Sequence, residues 1–232
     1  MAATGTTMPG SPTPAAGEDL EEEVRAIEER SARAALPPGC VVFTGSSSIR
    51  MWQTLAADMA PVPVANHGFG GSQMEDVLRY APRLVLRWRP RAVALYAGEN
   101  DLEGWRGKSP ESVLEQARSF AGLVAEAGAS LLVLSAKLSP ARRDDWPAIL
   151  RYNALLRGLA AEERGREFVD VTTAALGRDG MPGRELFGED GLHLSAAGYA
   201  LWTSIVRPRL LALAGARSPD RRDGAGATAG RR

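Results

Sequence analysis

Five short apolar runs alternate with segments of helical periodicity, and this alternation constrains the fold of the 232-residue chain more than any other feature. The fourth run is apolar throughout, as expected for a strand that helices cover on both faces. Strands that alternate with helices at short spacing form right-handed βαβ units around a parallel sheet. The sequence therefore predicts a three-layer α/β/α fold with a flavodoxin-like five-stranded parallel sheet in the order 2-1-3-4-5. The predicted strands span 40–44, 61–66, 92–97, 131–134 and 168–171.

Helical patterns fill the intervals between the strands and also precede and follow them. A first amphipathic helix is predicted over 18–36, and Pro37-Pro38-Gly39 ends it. A second is predicted over 49–59, and later ones begin near Met74, after Ser109, at Trp146 and after Ser195. We expect one domain over 18–214, flanked by disordered tails over 1–17 and 215–232 that are rich in small residues and lack periodicity.

The composition excludes several classes of partner. Lys plus Arg equals Asp plus Glu, at 28 each, so no overall charge favours nucleic acid or an anionic membrane. No stretch approaches the ~18 apolar residues of a spanning helix. Residues 1–17 do not resemble a signal peptide, which favours a cytoplasmic protein. The single cysteine, Cys40, is expected to be buried, and neither a metal nor a cofactor is expected. The oligomeric state stays open, a homodimer included.

Ser47 lies in the run Gly45-Ser46-Ser47-Ser48, where the first predicted strand gives way to a helix. Open α/β sheets bind ligands at the carboxyl ends of their strands, so a hydroxyl there is well placed for chemistry. A serine attacks only if a base takes its proton, and that base needs a third group to orient it. Ser46 and Ser48 are rival candidates for the nucleophile.

The chain has two histidines from which such a base can come. Asp190 precedes His193 by three residues in a loop before the last helix, a spacing that lets the carboxylate reach the ring. A capping or turn contact before Ser195 explains the same spacing equally well. His67 has no acid nearby in sequence until Glu75, and we expect it to pack or to hydrogen-bond the loop backbone.

Three groups can donate hydrogen bonds to the oxyanion that acyl transfer produces. They are the backbone N–H of Ser47, a bare N–H in the loop Gly70-Gly71, and the side-chain amide of Asn100 at the end of the third strand. The glycine-rich loop could also be a simple turn or a phosphate loop. A nucleotide site fits poorly, because the loop follows the second strand and no Gly-Lys-Ser/Thr follows it.

Four blocks of residues together resemble those of the SGNH hydrolases, also called GDSL esterases and lipases. They are Gly45-Ser46-Ser47, Gly70-Gly71-Ser72, Gly98-Glu99-Asn100-Asp101 and Asp190-Gly191-Leu192-His193. The resemblance implies that Ser47, Asp190 and His193 form a catalytic triad, and that Ser47, Gly71 and Asn100 form the oxyanion hole. The pattern Asn66-x-Gly68-x-Gly70-Gly71 is also similar to the platelet-activating-factor acetylhydrolase-like branch.

The chain departs from the family pattern at two positions. Ser46 stands where the family has Asp, and we expect it to keep a local hydrogen bond to the turn. Glu99 replaces a residue that is commonly small or polar, and either tunes the site or faces solvent. An α/β-hydrolase elbow fits poorly, because Ile49 stands where Gly-x-Ser-x-Gly needs its last glycine.

These observations predict a serine hydrolase that cleaves small carboxylic esters, preferably with short acyl or acetyl groups, through an acyl-enzyme. Two alternatives remain at this point: a non-catalytic binding or scaffold subunit on the same fold, and an acyltransferase that uses the same triad. Four side chains in loops are candidates to line the substrate pocket, although packing explains each of them as well: Trp105, Trp146, Leu186 and Phe187.

Overall fold

A five-stranded parallel sheet organises the computed structural model, which describes residues 18–215. The strands lie in the order β2-β1-β3-β4-β5, so the predicted topology is confirmed. The bounds are β1 Val41–Gly45, β2 Val64–Gly68, β3 Ala92–Tyr96, β4 Ser130–Leu134 and β5 Arg166–Val169.

Helices cover both faces of this sheet and complete the predicted three-layer fold. Successive residues of a strand point to opposite faces, so Val42 enters one core and Val41 and Phe43 enter the other. Helices α1, α4, α5 and α6 pack in the first core, whereas α2, α3 and α7 pack in the second. The bounds are α1 Glu18–Arg33, α2 Ser47–Arg50, α3 Leu55–Asp58, α4 Met74–Leu84, α5 Pro110–Glu126, α6 Trp146–Ala161 and α7 Ala196–Gly215.

Two strands are displaced from their predicted positions. Strand β2 begins at Val64 instead of residue 61, and it pairs in register with β1 from Val41↔Val64 to Gly45↔Gly68. Pro61 and Pro63 lack the N–H that a ladder needs, and Pro63 contributes only its carbonyl, which accepts from Val41. Strand β5 ends at Val169, because the N–H of Val171 donates to the Ser135 hydroxyl instead.

The helix predicted over 49–59 is two short helices, α2 and α3. The side chain of Asn66 explains the break, since its amide nitrogen lies 2.7 Å from the Ile49 carbonyl and 3.2 Å from that of Trp52. These carbonyls accept from Asn66 of β2 and from backbone N–H groups only three residues further on, so the ladder of an α-helix is interrupted here. The break confines α2 to one turn directly after the strand end.

No helix within residues 18–215 is both long and apolar enough to span a membrane. The predicted tails lie outside the described residues, except that Gly215 is the last residue of α7. The assignment of one domain to 18–214 stays a prediction.

Candidate active site

The turn after β1 fixes the position of Ser47. Gly45 has φ +130°, and a Cβ there would lie 1.8 Å from the Tyr96 carbonyl oxygen, so only glycine fits beside β3. The same carbonyl accepts the N–H of Ser46 at 3.0 Å. Ser47 then begins α2 at the carboxyl end of a strand that lies inside the sheet.

A chain of two hydrogen bonds joins the side chains of Ser47, His193 and Asp190. The Ser47 Oγ lies 3.0 Å from His193 Nε2, and His193 Nδ1 lies 2.6 Å from Asp190 Oδ2. A carboxylate only accepts, so the partners assign the ring proton to Nδ1 and leave Nε2 as the acceptor for the serine hydroxyl. The imidazole is thus oriented to take the proton of Ser47.

The loop before α7 holds Asp190 in place. Its Oδ1 accepts the N–H of Leu192 at 2.9 Å and that of His193 at 3.0 Å. The hydrogen bond from the His193 side chain and then the backbone bonds hold the pKa of Asp190 at about 2, well below its usual 3.8. The turn contact and the ring contact therefore coexist: one oxygen caps the turn, and the other faces the imidazole.

Hydrogen bonds connect the glycine-rich loop to the turn after β1 that carries Ser47. The N–H of Phe69 donates to the Gly45 carbonyl at 2.9 Å, and the N–H of Gly70 donates to Glu23 of α1 at 2.9 Å. Gly71 has φ +68° and is exposed, and its N–H has no acceptor among residues 18–215. It is therefore free to bind a ligand.

Asn100 lies in the loop after β3 and is 8% exposed. Its amide nitrogen donates to the Ser72 carbonyl at 2.9 Å, which ties the third block to the second. Its amide oxygen accepts from Arg142 Nη2 at 3.0 Å. Because an amide nitrogen carries two protons, one N–H remains for a further acceptor.

In the turn that carries Ser47, the expected hydrogen bond of Ser46 is absent from the described residues. Ser46 was expected to hydrogen-bond the turn, but its hydroxyl makes no capping bond to α2, and its φ of −85° and ψ of −166° are extended. Ser48 is 1% exposed, and its carbonyl accepts from Tyr199 of α7 at 2.9 Å. Within residues 18–215, Ser47 is the serine of this run whose hydroxyl contacts an imidazole.

The alternative that Glu99 faces solvent is wrong, since the residue is 3% exposed. Lys137 Nζ lies 2.5 Å from Glu99 Oε2, and the Tyr96 hydroxyl donates to the same oxygen. Burial alone would raise the pKa of Glu99, but the Lys137 and Arg142 charges and these hydrogen bonds outweigh it and lower the pKa. Burial lowers the pKa of Lys137. A lysine inside the apolar stretch 131–138 is the sequence signal that could have revealed its burial, but not its partner.

Sequence reasoning also missed the 3₁₀ segment Pro140–Asp145, which bridges the two sides of the site. Its Ala141 N–H donates to the Gly191 carbonyl of the Asp190 loop at 3.1 Å, and its Arg142 reaches Asn100. No motif marks this segment, because its role depends on which loops the sheet brings together.

The pocket candidates lie in three different surroundings. Trp105 is 70% exposed, with the Arg106 guanidinium 4.1 Å from its ring centre. Trp146 is partly buried, and its indole N–H donates to the Ser139 carbonyl at 2.9 Å. Leu186 and Phe187 line a small apolar pocket with room for about one water molecule.

His67 lies in the core. It is fully buried, with Nδ1 bonded to the Leu84 carbonyl and Nε2 lying 2.7 Å from the Ser31 Oγ. Burial lowers its pKa from 6.5 to about 4, so the ring is neutral. It contacts backbone as expected, although the carbonyl belongs to the end of α4 and not to the glycine-rich loop.

Comparison with known proteins identifies sequences and folds similar to this chain. Residues 39–201 match the sequence model of the GDSL-like Lipase/Acylhydrolase family. No curated protein matches the chain significantly. A candidate platelet activating factor from Streptococcus pneumonia has a similar fold at 20% identity and TM-score 0.72, over 82% of this chain and 92% of that one.

Two further solved structures have the same fold. A GDSL-like lipase from Bacteroides thetaiotaomicron is 20% identical with TM-score 0.67, over 80% of this chain and 97% of that one. A catalytic mutant of an acetylxylan esterase from Geobacillus stearothermophilus is 15% identical with TM-score 0.61, over 79% and 97%.

Proposed function

The chain belongs to the GDSL-like lipase/acylhydrolase family and is a carboxylic ester hydrolase, and we propose that it works as a serine hydrolase through an acyl-enzyme. The observation that carries the proposal is the hydrogen-bonded chain from Asp190 through His193 to the hydroxyl of Ser47. This arrangement contains a nucleophile, a base and an orienting carboxylate in direct contact.

In the first step, His193 Nε2 takes the hydroxyl proton while Ser47 Oγ attacks the ester carbonyl carbon. The imidazolium that forms is stabilised by the Asp190 carboxylate. The ring then donates its proton to the alkoxide oxygen as the alcohol leaves, and the acyl group stays on Ser47. Water, deprotonated by the same nitrogen, then attacks the acyl carbonyl carbon. The ring returns that proton to Ser47 Oγ as the acyl–oxygen bond breaks, which releases the carboxylic acid and restores the serine hydroxyl.

The oxyanion of each tetrahedral intermediate would accept hydrogen bonds from the N–H groups of Ser47 and Gly71 and from the side chain of Asn100. Two observations support these donors: the Gly71 N–H has no acceptor within residues 18–215, and Asn100 retains one amide proton. Removing one such donor costs about 10²–10³-fold in kcat in a well-studied serine protease. We expect Asn100→Ala to lose activity to that extent.

The preferred substrates would be small esters with acetyl or other short acyl groups. Residues 18–215 contain no long apolar lid segment that would cover a long acyl chain. One protein of similar fold is an acetylxylan esterase, in line with an acetyl ester. A series of nitrophenyl esters of increasing acyl length tests this preference, and we expect turnover to fall with length.

Trp105 is the pocket candidate best placed to contact the alcohol part of a substrate. It lies in the 3₁₀ turn Gly104–Arg106, two residues after Glu103, which is bonded to Arg142 beside Asn100. A tryptophan that is 70% exposed offers a flat apolar face to a ligand. We expect Trp105→Ala to raise KM and to change kcat little. An unchanged KM across several alcohols would remove Trp105 from the site.

Labelling with a fluorophosphonate probe, which phosphonylates activated serines, tests the nucleophile. Wild type should be labelled and should hydrolyse nitrophenyl acetate, whereas Ser47→Ala should do neither. Ser46→Ala is the matched control, because it removes the neighbouring hydroxyl and should retain the label. Equal labelling of wild type and Ser47→Ala would refute the proposal.

Assays with competing alcohols separate hydrolysis from acyl transfer, since a transferase would form the new ester in preference to the acid.

A further inference from the structure

A cluster of buried charges lies directly behind the amide of Asn100. It contains the carboxylates of Glu99 and Glu103 and the cations of Lys137 and Arg142. The side chains of Glu99, Lys137 and Arg142 are 3%, 4% and 10% exposed. Withdrawing charges from water is costly, and a buried ion pair often stabilises a fold no better than apolar residues would. The cluster therefore needs an explanation other than stability alone.

Arg142 is the member of the cluster that touches the site. Its Nη2 donates to Asn100 Oδ1 at 3.0 Å and to Glu103 Oε1 at 2.8 Å, and its Nη1 lies 3.5 Å from Glu99 Oε1. Glu103 thus holds the guanidinium by a hydrogen bond, whereas Glu99 faces it as a nearby charge, since Nη1 makes no hydrogen bond within residues 18–215. A planar guanidinium held in this way is a rigid donor.

This donor determines which way the Asn100 amide faces. A guanidinium has donors and no acceptor, so it requires the oxygen of the amide. The Ser72 carbonyl, on the other side, accepts only and requires the nitrogen, 2.9 Å away. The two partners together fix the plane and the polarity of the amide. The second N–H then points in one set direction, which an oxyanion donor requires.

The backbone around Arg142 is built to hold it there. The residue has φ −118° and ψ 35°, outside helical values, within the 3₁₀ segment Pro140–Asp145. Ser139, just before this segment, donates from its hydroxyl to Glu99 Oε1 at 3.2 Å. The Ala141 N–H donates to the Gly191 carbonyl at 3.1 Å. The segment is thereby anchored to the cluster and to the Asp190 loop.

We propose that Arg142, held by Glu103 and facing Glu99, is a positioning residue that fixes the side chain of Asn100 for the oxyanion of ester hydrolysis. The inference rests on the proposed function and goes beyond it, because it assigns a role to the loop after β4. Arg142 does not touch the substrate, and its whole effect on turnover passes through Asn100.

A double-mutant cycle on kcat tests this coupling. Arg142→Met should lower kcat about tenfold or more, but less than the about 10²–10³-fold expected of Asn100→Ala. KM should change little, because the oxyanion bond exists only in the transition state. The double variant Arg142→Met/Asn100→Ala should be no slower than Asn100→Ala alone.

Two further variants complete the design. Arg143→Met is the matched control: Arg143 is the exposed neighbour, whose guanidinium lies 5.8 Å from the Trp146 ring, and its loss should leave kcat unchanged. Arg142→Lys keeps a charge and a donor but loses the fork, so its kcat should lie between those of wild type and Arg142→Met. If Arg142→Met does not fold, the cycle is measured with Arg142→Lys.

If Ser47→Ala is inactive and unlabelled, the proposed function holds, and two results would then overturn the inference about Arg142. The first is a wild-type kcat in both Arg142 variants. The second is that Arg142→Met lowers kcat by the same factor whether residue 100 is Asn or Ala. A purely structural role predicts that second result, together with a lower melting temperature. Failure of the proposed function gives a different pattern, because wild type and Ser47→Ala would then behave alike.

Discussion

The two histidines of the chain form nearly the same pair of contacts in opposite surroundings. In each ring Nδ1 faces an oxygen acceptor and Nε2 faces a serine hydroxyl. For His193 these are Asp190 at 2.6 Å and Ser47 at 3.0 Å. For His67 they are the Leu84 carbonyl and Ser31 at 2.7 Å. A serine–histidine contact is therefore not in itself a nucleophile site.

The difference lies in the acceptor at Nδ1 and in the access of solvent. A carboxylate such as that of Asp190 can stabilise an imidazolium that forms when a histidine takes a proton, whereas a neutral carbonyl does so weakly. The His193 side chain is 25% exposed, but His67 is fully buried, and burial lowers its pKa to about 4. His67 instead joins α1, through Ser31, to β2 and to the end of α4. Its role is to hold together elements of the first core.

The largest effect on activity should come from replacing His193, and replacing His67 should have little effect. We expect His193→Ala to lower kcat/KM for nitrophenyl acetate by about 10⁴–10⁶-fold, because among residues 18–215 no other base contacts Ser47. His67→Gln, which keeps polar atoms in the core, should stay within a few-fold of wild type in the same assay at pH 7.5. A comparable loss in both variants, with both folded by circular dichroism, would end the distinction between the two rings.

The acceptor at Nδ1 is tested by Asp190→Asn. We expect kcat to fall by about 10³–10⁴-fold, since an amide neither stabilises the imidazolium nor enforces the tautomer. KM should change little, because Asp190 faces the ring and not the substrate. Rates of nitrophenyl acetate hydrolysis under saturation measure this. A loss of less than tenfold would mean that a neutral acceptor at Nδ1 is sufficient. The carboxylate at His193, compared with the Leu84 carbonyl at His67, would then not explain the difference in reactivity.

The sequence revealed what depends on local pattern. Ser47 after a strand, Asp190 three residues before His193, and the strand order follow from periodicity, spacing and the four blocks. The break between α2 and α3 could not be predicted, because it depends on Asn66 reaching carbonyls of a distant turn. The later start of β2 could have been read from Pro61 and Pro63, which lack the N–H that a ladder needs. Periodicity records which face of an element is apolar, but not which side chain will compete for its backbone.

The surroundings of Asn100 were hidden for a related reason. Glu99 could be identified as unusual, but its partner Lys137 is 38 residues away and Arg142 lies in a segment without a motif. Charged residues are expected at the surface, and only tertiary structure shows that these pair inside. The same holds for Ser31 and His67, which are 36 residues apart.

Stability should respond to the titration of His67 in acid. The folded pKa of about 4 lies below the usual 6.5, so the unfolded chain binds the proton first as the pH falls. The contribution of the neutral ring is complete above pH 6.5 and is lost as the pH falls toward 4. Between pH 7 and pH 5 we expect the free energy of unfolding to decrease by about 2 kcal/mol from this group.

Urea unfolding of wild type and His67→Gln at both pH values isolates this contribution. The variant lacks the titrating ring, so the difference between the two proteins should narrow by about 2 kcal/mol at pH 5. Parallel losses of stability in both proteins would show that the core does not hold His67 neutral. The pKa of His67 in the folded protein would then be that of an ordinary solvated histidine.

The smallest effect should come from the other serine that contacts a histidine. Ser31 is 4% exposed, and Ser31→Ala removes the hydroxyl at Nε2 of His67, which should cost about 1 kcal/mol of unfolding free energy. Ser119→Ala, an exposed helical serine that bonds its own helix, should cost less than half of that. Neither variant should change ester hydrolysis or labelling by the fluorophosphonate probe, because the buried Ser31 lacks both a carboxylate relay and a path for substrate. Loss of the label in Ser31→Ala, with the protein folded, would mean that Ser31 and His67 react with the probe. Burial would then not be the reason that one serine–histidine pair is reactive and the other is not.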